Sequence, residues 1–432
     1  MTEFVHFDNV WQRCREVVRE SAESLINAGC TELVFIRDLW GRVRVAVPLD
    51  FRDDWREPLR ALATRLNERL GAHAYPPDAA VLELTGHDLR QLREGAVSSP
   101  ENGITVVLVD RVITGSRWSL PPEGRAPNRF SFFAIKGGVG RSTAVAVLAS
   151  HLVRKGQRVL AMDLDLESPG LSSLLLPPGE HPDFGIVDWF VEDAVDQGDR
   201  VISEMTAAPS WCGSLKGDLL VAPARGRLRE GYEEYLEKLG RVYLDLPPVP
   251  NKRAQEPWLI RLRRLIEALE RQLRPDVVLI DSRNGLHDLA AAAVMAVGAR
   301  VCLFALENAP TWEAYTILFR HWARYGIAEK IRENLTIVAS MIPEVGRDRY
   351  LASFREHAWD LFRDFLYDEE PPGEDRFNFD LNDEDAPHWP LEIYWHRGVP
   401  DAQTVAELPG QTEQEAFRPF LEAFDELISE QS

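Results

Sequence analysis

The spacing of apolar and polar residues divides the chain into two parts of different character. In the first part, residues 9–27 and 55–70 have the periodicity of amphipathic helices. Short β-branched runs, which predict strands, alternate with them at residues 32–36, 43–47 and 104–109. We therefore predict a smaller α+β domain over residues 1–120. It contains no chemical motif that indicates its role.

From residue 128 onward the pattern changes to short apolar runs separated by helical stretches. Strands are predicted at residues 130–135, 158–162, 218–222, 276–280, 301–305 and 335–341. Helices are predicted at residues 142–155, 259–272, 286–297 and 312–325. Apolar runs of this length are typical of strands buried on both faces. The pattern predicts an α/β fold, a doubly wound and mostly parallel sheet flanked by helices.

Prolines and a glycine in residues 118–127 interrupt both patterns, because proline continues neither a helix nor a central strand. We therefore predict a linker at residues 121–128 and a second domain over residues 129–432. Within that domain, the carboxylate-rich residues 367–388 predict an acidic, weakly ordered insertion. A closing helix is predicted at residues 413–430.

The composition excludes several classes of protein. The chain has 432 residues, of which 45% are hydrophobic, which suffices for ordinary cores. No window approaches the roughly 18 consecutive apolar residues of a membrane span, and the N-terminus lacks the features of a secretory signal. We therefore expect a cytoplasmic protein that does not bind membranes. The four cysteines lack the spacing of zinc or iron–sulfur sites and are interpreted as reduced, mostly buried thiols.

The formal net charge of −20 repels polyanions over most of the surface. The best candidate for a basic face is residues 252–274, which contain several arginines. We favour the alternative, in which these arginines lie on the solvated face of an amphipathic helix. Nucleic-acid binding is therefore possible but disfavoured.

A glycine-rich turn joins the first predicted strand of the second domain to the helix that follows it. It reads Lys136-Gly137-Gly138-Val139-Gly140-Arg141-Ser142-Thr143. Glycines let backbone N–H groups surround an anion, the helix N-terminus adds the positive end of its dipole, and the Ser142 hydroxyl can bind Mg²⁺. A turn that merely connects two elements would not need two cations and two hydroxyls at these positions. The segment predicts a binding site for the phosphates of a nucleotide.

This segment resembles the KGGxGK[ST] loop of the deviant-Walker-A ATPases, which include the ParA partition proteins, the MinD division-site proteins and the ATPase subunits of nitrogenase-like systems. The resemblance rests on residues 136–140, extends collinearly over residues 128–432 and implies ATP and Mg²⁺ as ligands. It also implies that Lys136 reaches across an ATP-dependent homodimer to the partner's phosphates. Arg141 replaces the phosphate-loop lysine of that family. Arginine keeps the cation but is longer and planar, so binding should survive, whereas hydrolysis depends on whether arginine can replace lysine.

A second motif follows one βα unit after the glycine loop. The apolar run at residues 159–162 ends in Asp163-Leu164-Asp165, and alternation along the chain places the two carboxylates together. The resemblance implies that Asp165 orients the attacking water and that Asp163 supports the magnesium shell. Aspartates at strand ends also cap helices or form turns. The position one βα unit after the glycine loop favours the functional interpretation.

The third motif is the apolar run at residues 277–280 followed by Asp281, as in a Walker B strand. A carboxylate in this place holds the water shell of Mg²⁺. Buried strands often end in aspartate, so the motif gains weight only because it follows the other two in order. The predicted metal-site residues are thus Ser142, Asp163 and Asp281, and the predicted catalytic residues are Lys136 and Asp165.

Two further segments give weaker signals. Arg283 could stabilise a γ-phosphate or form an ion pair with a nearby carboxylate, and the sequence favours neither. For residues 307–312 the resemblance implies a rim of the nucleotide pocket and dimer interface. We favour a helix start, with Asn308 or Thr311 as the cap and Pro310 in the first turn.

The leading hypothesis is an ATPase that acts as a molecular switch, in which nucleotide controls dimerisation and binding of an unidentified protein partner through the N-terminal domain. The acidic C-terminal helix disfavours membrane anchoring, and the absent cysteine pair disfavours iron–sulfur delivery. One alternative is a non-hydrolysing nucleotide-binding scaffold in which Arg141 blocks turnover. Another is a regulatory component of a bacterial multi-gene system for stress response or anti-phage defence.

Overall fold

The computed structural model describes residues 4–93, 96–227, 235–248, 255–369, 376–399 and 403–429. The chain forms two compact units, a smaller unit of Met1–Ser119 and a larger unit of Leu120–Ser432. The predicted linker lies in the larger unit and is hydrogen-bonded to it. The backbone N–H groups of Glu123 and Ala126 donate to the carbonyls of Met295 and Gly298 at 2.8 and 2.7 Å. These residues therefore do not form a free connection.

The smaller unit is a five-stranded mixed sheet with helices on both faces. Its strands, in the spatial order β3-β2-β1-β5-β4, are β1 (Glu32–Arg37), β2 (Val43–Pro48), β3 (Val81–Leu84), β4 (Val97–Glu101) and β5 (Ile104–Asp110). Its helices are α1 (Val10–Asn27), α2 (Arg56–Leu70) and α3 (Gly86–Arg93). Alternation along β1 directs Phe35 to the core under α1 and α2, and Val34 to the smaller core that contains Leu89 of α3. The sequence missed β3, β4 and α3, which are short and partly exposed.

The larger unit is built on a seven-stranded sheet in which every neighbouring pair of strands is parallel. Its strands, in the order β12-β11-β10-β6-β9-β7-β8, are β6 (Arg129–Ala134), β7 (Arg158–Asp163), β8 (Asp218–Ala222), β9 (Val277–Asp281), β10 (Arg300–Ala305), β11 (Leu335–Ile342) and β12 (Leu391–Tyr394). The predicted doubly wound parallel sheet is confirmed. The short edge strand β12 was not predicted.

Helices cover both faces of this sheet. They are α4 (Arg141–Arg154), α5 (Leu171–Leu175), α6 (Ile186–Asp193), α7 (Gly198–Val201), α8 (Tyr235–Val242), α9 (Trp258–Leu273), α10 (Asp288–Met295), α11 (Ala309–Arg324), α12 (Ala328–Ile331), α13 (Arg347–Phe365) and α14 (Gly410–Ser429). Helices α4 and α14 share one core with strand residues such as Phe132, and α6 and α9 share another with residues such as Leu160.

The strand order creates a switch point in the middle of the sheet. From β6 the chain passes over one strand position to reach β7 and β8, and then returns to fill that position with β9. It continues on the other side of β6 with β10. Because all strands are parallel, the carboxyl ends of β6, β7 and β9 meet at one edge, where ligands bind in open α/β sheets. The three sequence motifs lie at these strand ends.

Three of the arginines of α9 are paired with carboxylates. Arg261 is fully buried, and its Nε donates to Asp193 Oδ2 at 2.9 Å. Arg264 pairs with Asp193 at 2.8 Å and with Glu256 at 3.0 Å, and Arg263 pairs with Glu123 at 2.7 Å. The favoured interpretation, arginines on the solvated face of an amphipathic helix, is confirmed for α9 as a helix but wrong for Arg261, which lies on the buried side and pairs with Asp193. Lys252 lies outside the described residues.

The acidic stretch at residues 367–388 is packed where the structure describes it. The Tyr367 hydroxyl and His388 Nδ1, both buried, are 2.6 Å apart. Asp368 pairs with Arg332 at 2.6 Å and accepts a hydrogen bond from the backbone N–H of Phe377. The prediction of weak order is therefore wrong for these residues, because burial of the aromatic rings and the Asp368 contacts hold the loop. Residues 370–375 lie outside the described part.

Three expectations from the composition can be compared with the residues that the structure describes. The four cysteines are buried and free, as predicted. None of the helices in the described ranges is long and apolar enough to cross a membrane. No cluster of His, Cys, Asp and Glu in these ranges has the arrangement of a metal centre formed by such residues alone.

The first testable prediction concerns the packing of α14 on the sheet. The ring of Phe424 is fully buried and lies 5.3 Å from Phe130 and 5.7 Å from Phe132, measured between ring centroids. Phe424→Ala should lower the free energy of unfolding of the larger unit by about 3–5 kcal/mol, because it removes a buried ring and leaves a cavity. Chemical denaturation measures the change. Glu422→Ala, on the exposed side of the same helix, should change it by less than about 0.5 kcal/mol.

Candidate nucleotide-binding site

The glycine loop between β6 and α4 has the backbone of an anion cradle. Gly138 and Gly140 both have φ of 74°, the left-handed region in which a side chain is strained. The N–H groups of residues 137–140 donate to no acceptor within the described parts of the chain. Since α4 begins at Arg141, the positive end of its dipole points into the same space. The loop can therefore donate several N–H groups to one anion.

The first turn of α4 is tied to the end of β9. The Ser142 hydroxyl donates to Asp281 Oδ2 at 2.6 Å, and Arg141 Nε donates to Asp281 Oδ1 at 2.5 Å. Asp281 has no exposed surface, and Arg141 is only 4% exposed. The structure thus brings together Ser142 and Asp281, as predicted for a magnesium site. It also places the Arg141 guanidinium on the same carboxylate.

Asp163 and Asp165 occupy different environments at the end of β7. Asp163 faces the start of α5, where its Oδ2 accepts hydrogen bonds from the backbone N–H and the hydroxyl of Ser172 at 2.8 and 2.5 Å. Its Oδ1 accepts from the Asp165 N–H at 3.2 Å. The Asp165 carboxylate turns toward Arg141, with 3.7 Å between Oδ2 and Nη2. Asp165 therefore faces Arg141, whereas Asp163 contacts neither Arg141 nor Ser142.

Burial shapes the electrostatics of these carboxyl groups. Asp163 and Asp281 are partners in the register of β7 and β9, and both are fully buried. Loss of water on burial, reinforced by the nearby Asp281, raises the pKa of Asp163 to about 7 against the opposing hydrogen bonds from Ser172. Burial also raises the pKa of Asp165, with Arg141 acting in the opposite direction. The site thus concentrates more negative charge than one guanidinium neutralises.

Lys136 and Thr143 lie at the two ends of the loop and differ in exposure. The Lys136 side chain is exposed and forms no ion pair or hydrogen bond with the residues that the structure describes. Thr143 is half-buried and, with Gly140, lines an apolar cavity of about 50 Å³. The cavity wall includes Met341, whose φ of 55° accompanies an irregular register in β11, and Trp395, which is 44% exposed. An apolar pocket therefore adjoins the loop.

The two weaker sequence signals are explained by local contacts. Arg283 pairs with Glu167 at 2.5 Å, which matches the ion-pair alternative. Asn308 caps α11, and its Oδ1 accepts from the backbone N–H of Thr311 at 3.0 Å, with Pro310 in the first turn. The favoured interpretation of residues 307–312 as a helix start is confirmed.

The residues at this edge fit a nucleotide with magnesium. Hydroxyl and carboxylate oxygens, as supplied by Ser142 and Asp281, are the ligands that Mg²⁺ prefers. Free N–H groups at a helix start and a buried cation suit phosphate oxygens. A Cβ atom at Gly140 would make only an ordinary contact with Ser340 Oγ at 3.8 Å, so the left-handed φ, and not a lack of space, favours glycine at this position.

Comparison with known proteins agrees with this chemistry. Residues 130–309 match the family model described as the CobQ/CobB/MinD/ParA nucleotide-binding domain. The matched stretch contains the glycine loop, Asp163, Asp165 and Asp281, and over these residues the larger unit is similar to that nucleotide-binding domain. A comparison with curated protein sequences gives no match.

Solved structures with similar folds have low sequence identity to this chain. MinD from Pyrococcus horikoshii OT3, complexed with Mg-ADP, is 19% identical, with a TM-score of 0.43, over 72% of this chain and 99% of that one. MinD from Aquifex aeolicus is 13% identical, with a TM-score of 0.42, over 69% and 97%. The pNOB8 ParA protein bound to nonspecific DNA is 14% identical, with a TM-score of 0.42, over 70% and 98%.

Sequence reasoning missed three residues that shape the site. Ser172 binds Asp163 from the next helix, Ser340 donates its hydroxyl hydrogen to the Val139 carbonyl, and Asn284 Oδ1 accepts from Arg141 Nη1 at 2.6 Å. Serine and asparagine are common in loops, so their presence in the sequence does not by itself predict a contact in the site. Only the three-residue distance of Asn284 from Asp281 could have suggested a role.

The second testable prediction follows from the burial of Asp163. Its pKa is raised in the folded protein, so the folded state binds the proton more tightly than the unfolded state, and stability falls as pH rises from about 4 to about 7. Asp163→Asn removes this titration. Between pH 5 and pH 8 the wild type should therefore lose about 1–3 kcal/mol relative to the variant, as measured by chemical denaturation.

The matched control for this prediction is Asp199→Asn, which replaces an exposed aspartate of the same unit. The difference in unfolding free energy between the wild type and this control should stay constant over the same pH range. A constant difference between the wild type and Asp163→Asn would show that Asp163 is ionised throughout and contradict the assignment.

Proposed function

We propose that the larger unit binds ATP with Mg²⁺ and acts as a nucleotide-dependent molecular switch in the cytoplasm. The observation that carries the proposal is the combination of an unoccupied set of N–H donors at residues 137–140 with the Ser142–Asp281 pair at the end of the same loop. The N–H donors suit the phosphates, and the Ser142–Asp281 pair suits the metal ion that accompanies them. The family match over residues 130–309 supports this assignment.

Each site residue has a defined task in this proposal. The N–H groups of the loop and the Arg141 guanidinium bind phosphate oxygens, and Thr143 lies beside them at the start of α4. Ser142 and Asp281 hold Mg²⁺, with Asp163 in support, and the metal would neutralise phosphate charge. Asp165, close to Arg141 and less deeply enclosed than Asp281, would orient the attacking water.

Dimerisation is assigned to Lys136. Its ammonium group lies outside the turn that would surround the molecule's own phosphates, and no carboxylate in the described residues neutralises it. A second copy that presents a bound nucleotide supplies the missing negative charge. Lys136 thereby also serves as a catalytic residue, since it acts on the partner's phosphates during hydrolysis.

The smaller unit is proposed to dock a further protein. Phe4, Trp40 and Ile113 are exposed by 81%, 82% and 82%. These side chains would be available to contact a partner protein. Nucleic acid remains a disfavoured ligand, because the arginines of α9 are paired with carboxylates.

The alternative function is a scaffold that binds nucleotide without hydrolysing it. The contacts of Arg141 with Asp281 and its approach to Asp165 favour this alternative, because they occupy the two carboxylates that hydrolysis requires. Steady-state phosphate release distinguishes the two functions. Turnover that is present in the wild type and lost in Asp165→Ala supports the switch, whereas absence of turnover with intact ATP binding supports the scaffold.

The third testable prediction concerns the loop. Gly140→Val should abolish binding of ATP with Mg²⁺, because a β-branched residue cannot adopt φ of 74° without strain, so the loop backbone that presents the N–H groups would be displaced. Isothermal titration calorimetry measures the affinity. Gly326→Val is the matched control, since Gly326 has φ of 64° but lies between α11 and α12. Unchanged affinity in folded Gly140→Val would refute the proposed site.

The fourth testable prediction concerns dimerisation. Wild type should be a monomer without nucleotide and a dimer with a slowly hydrolysed ATP analogue, as measured by light scattering. Lys136→Ala should bind the analogue within about threefold of wild type but remain a monomer, because Lys136 contacts only the partner's phosphates. Lys155→Ala, which removes an exposed lysine paired with Asp425, should dimerise normally. Equal dimerisation of Lys136→Ala and wild type would exclude the assigned role.

A further inference from the structure

Each of the three guanidinium nitrogens of Arg141 faces a different acceptor in the site. Nε donates to Asp281 Oδ1 at 2.5 Å, Nη1 donates to Asn284 Oδ1 at 2.6 Å, and Nη2 lies 3.7 Å from Asp165 Oδ2. A lysine ammonium also has three N–H donors, but they share one nitrogen and do not reproduce the spread of Nε, Nη1 and Nη2 across the planar guanidinium group. The arginine at this position therefore makes contacts that lysine cannot reproduce.

These contacts engage both oxygens of Asp281. Its Oδ1 accepts from Arg141 and its Oδ2 accepts from the Ser142 hydroxyl. A metal ion bound by Ser142 and Asp281 would lie within a few ångströms of the guanidinium, and in a buried site the repulsion between the two cations is poorly screened. The arginine and the metal thus compete for the same carboxylate.

Asn284 is held in a fixed position from which it orients Arg141. It lies in the loop after β9, whose backbone is attached to β6 on both sides of Asn284. The Ser282 N–H donates to the Phe132 carbonyl at 3.1 Å, and the Gly285 N–H donates to the Ala134 carbonyl at 3.0 Å. Gly285 has φ of 81°, which fixes the turn that aims the asparagine at the site.

We propose that Asn284 is a positioning residue that keeps Arg141 on Asp281 in the nucleotide-free protein, so that the metal site stays closed until phosphates attract Arg141 away. The proposal rests on the proposed function, because it assigns a regulation to the same site. The Asn284 Oδ1 accepts a hydrogen bond from Arg141 Nη1, so Asn284 acts on Asp281 through Arg141. We call the set of contacts between Arg141, Asp281 and Asn284 the arginine clasp.

The clasp couples metal binding to nucleotide binding. Phosphate oxygens offer the guanidinium an equally strong, bidentate partner, and its departure frees Asp281 for the metal. Because such coupling is reciprocal, the metal should increase the affinity for nucleotide by the same factor by which nucleotide increases the affinity for the metal. A weaker arginine clasp should reduce both the effect of the metal on nucleotide affinity and the effect of nucleotide on metal affinity.

The fifth testable prediction measures metal binding alone. Mn²⁺, which suits the same oxygen ligands and is visible by electron paramagnetic resonance, is titrated into the full chain without nucleotide. Asn284→Ala and Arg141→Lys should bind Mn²⁺ about tenfold more tightly than wild type, because Arg141 no longer holds Asp281 firmly. With ATP present, the affinities of wild type and Asn284→Ala for Mn²⁺ should converge.

Arg283→Gln is the control for a general effect of charge. It removes a full positive charge from the same loop, but Arg283 pairs with Glu167 and does not contact Asp281. Asn284→Ala removes no charge at all. Tighter binding of Mn²⁺ in Asn284→Ala than in Arg283→Gln therefore identifies the clasp, whereas equal affinities in the two variants would overturn it.

Two further outcomes separate this proposal from the proposed function. If wild type binds ATP but Asn284→Ala and Arg141→Lys bind Mn²⁺ no more tightly than wild type, the clasp is wrong and the nucleotide site stands. If the two variants bind Mn²⁺ more tightly but wild type does not bind ATP, the clasp stands and the nucleotide site is wrong. Circular dichroism and thermal unfolding verify the folding of each variant, and Arg141→Lys preserves the charge if Asn284→Ala does not fold.

Discussion

Two carboxyl groups, those of Asp163 and Asp281, lie side by side at the ends of adjacent parallel strands with no exposed surface. Negative charges so placed repel one another and have lost their hydration, so each needs compensation from the protein. Asp281 accepts hydrogen bonds from Arg141 and Ser142 in the first turn of α4, and Asp163 accepts one from the hydroxyl of Ser172 in α5. The positions of both helices at this edge therefore depend on two buried carboxyl groups.

The glycine loop is connected to more distant elements by a continuous series of hydrogen bonds. The Val139 carbonyl accepts from the Ser340 hydroxyl, and the Tyr350 hydroxyl donates to the Ser340 carbonyl at 3.3 Å and accepts from the Glu307 N–H at 2.8 Å. The Glu307 carboxylate in turn contacts side chains at the start of α11 and along α13, namely Trp312, Ser353 and His357. A displacement of the loop would therefore be transmitted to the surface formed by α11 and α13.

The sequence predicted the parts of the fold that depend on periodicity and the parts of the site that depend on strand ends. Long apolar runs located six strands of the larger sheet, and their terminal aspartates located the functional edge. Short or partly exposed elements such as β3, β4 and β12 were missed, because a few residues carry no measurable period. The contacts of Asn284, Ser172 and Ser340 could not be predicted, since they depend on which loops the fold brings together. The same holds for the packed loop around Tyr367 and His388, whose acidic composition pointed to disorder.

The packing of α14 has a consequence for how the protein is made. The rings of Phe420 and Phe424 complete the core around Phe132 of β6, the strand that leads directly into the glycine loop. Residues 410–429 are the last described element to emerge from the ribosome, whereas β6 is the first strand of its sheet. The part of the face of β6 that α14 covers therefore stays exposed for most of the time that the larger unit is being synthesised. Synthesis thus imposes an interval in which a nascent chain exposes apolar surface and is open to chaperones or to aggregation.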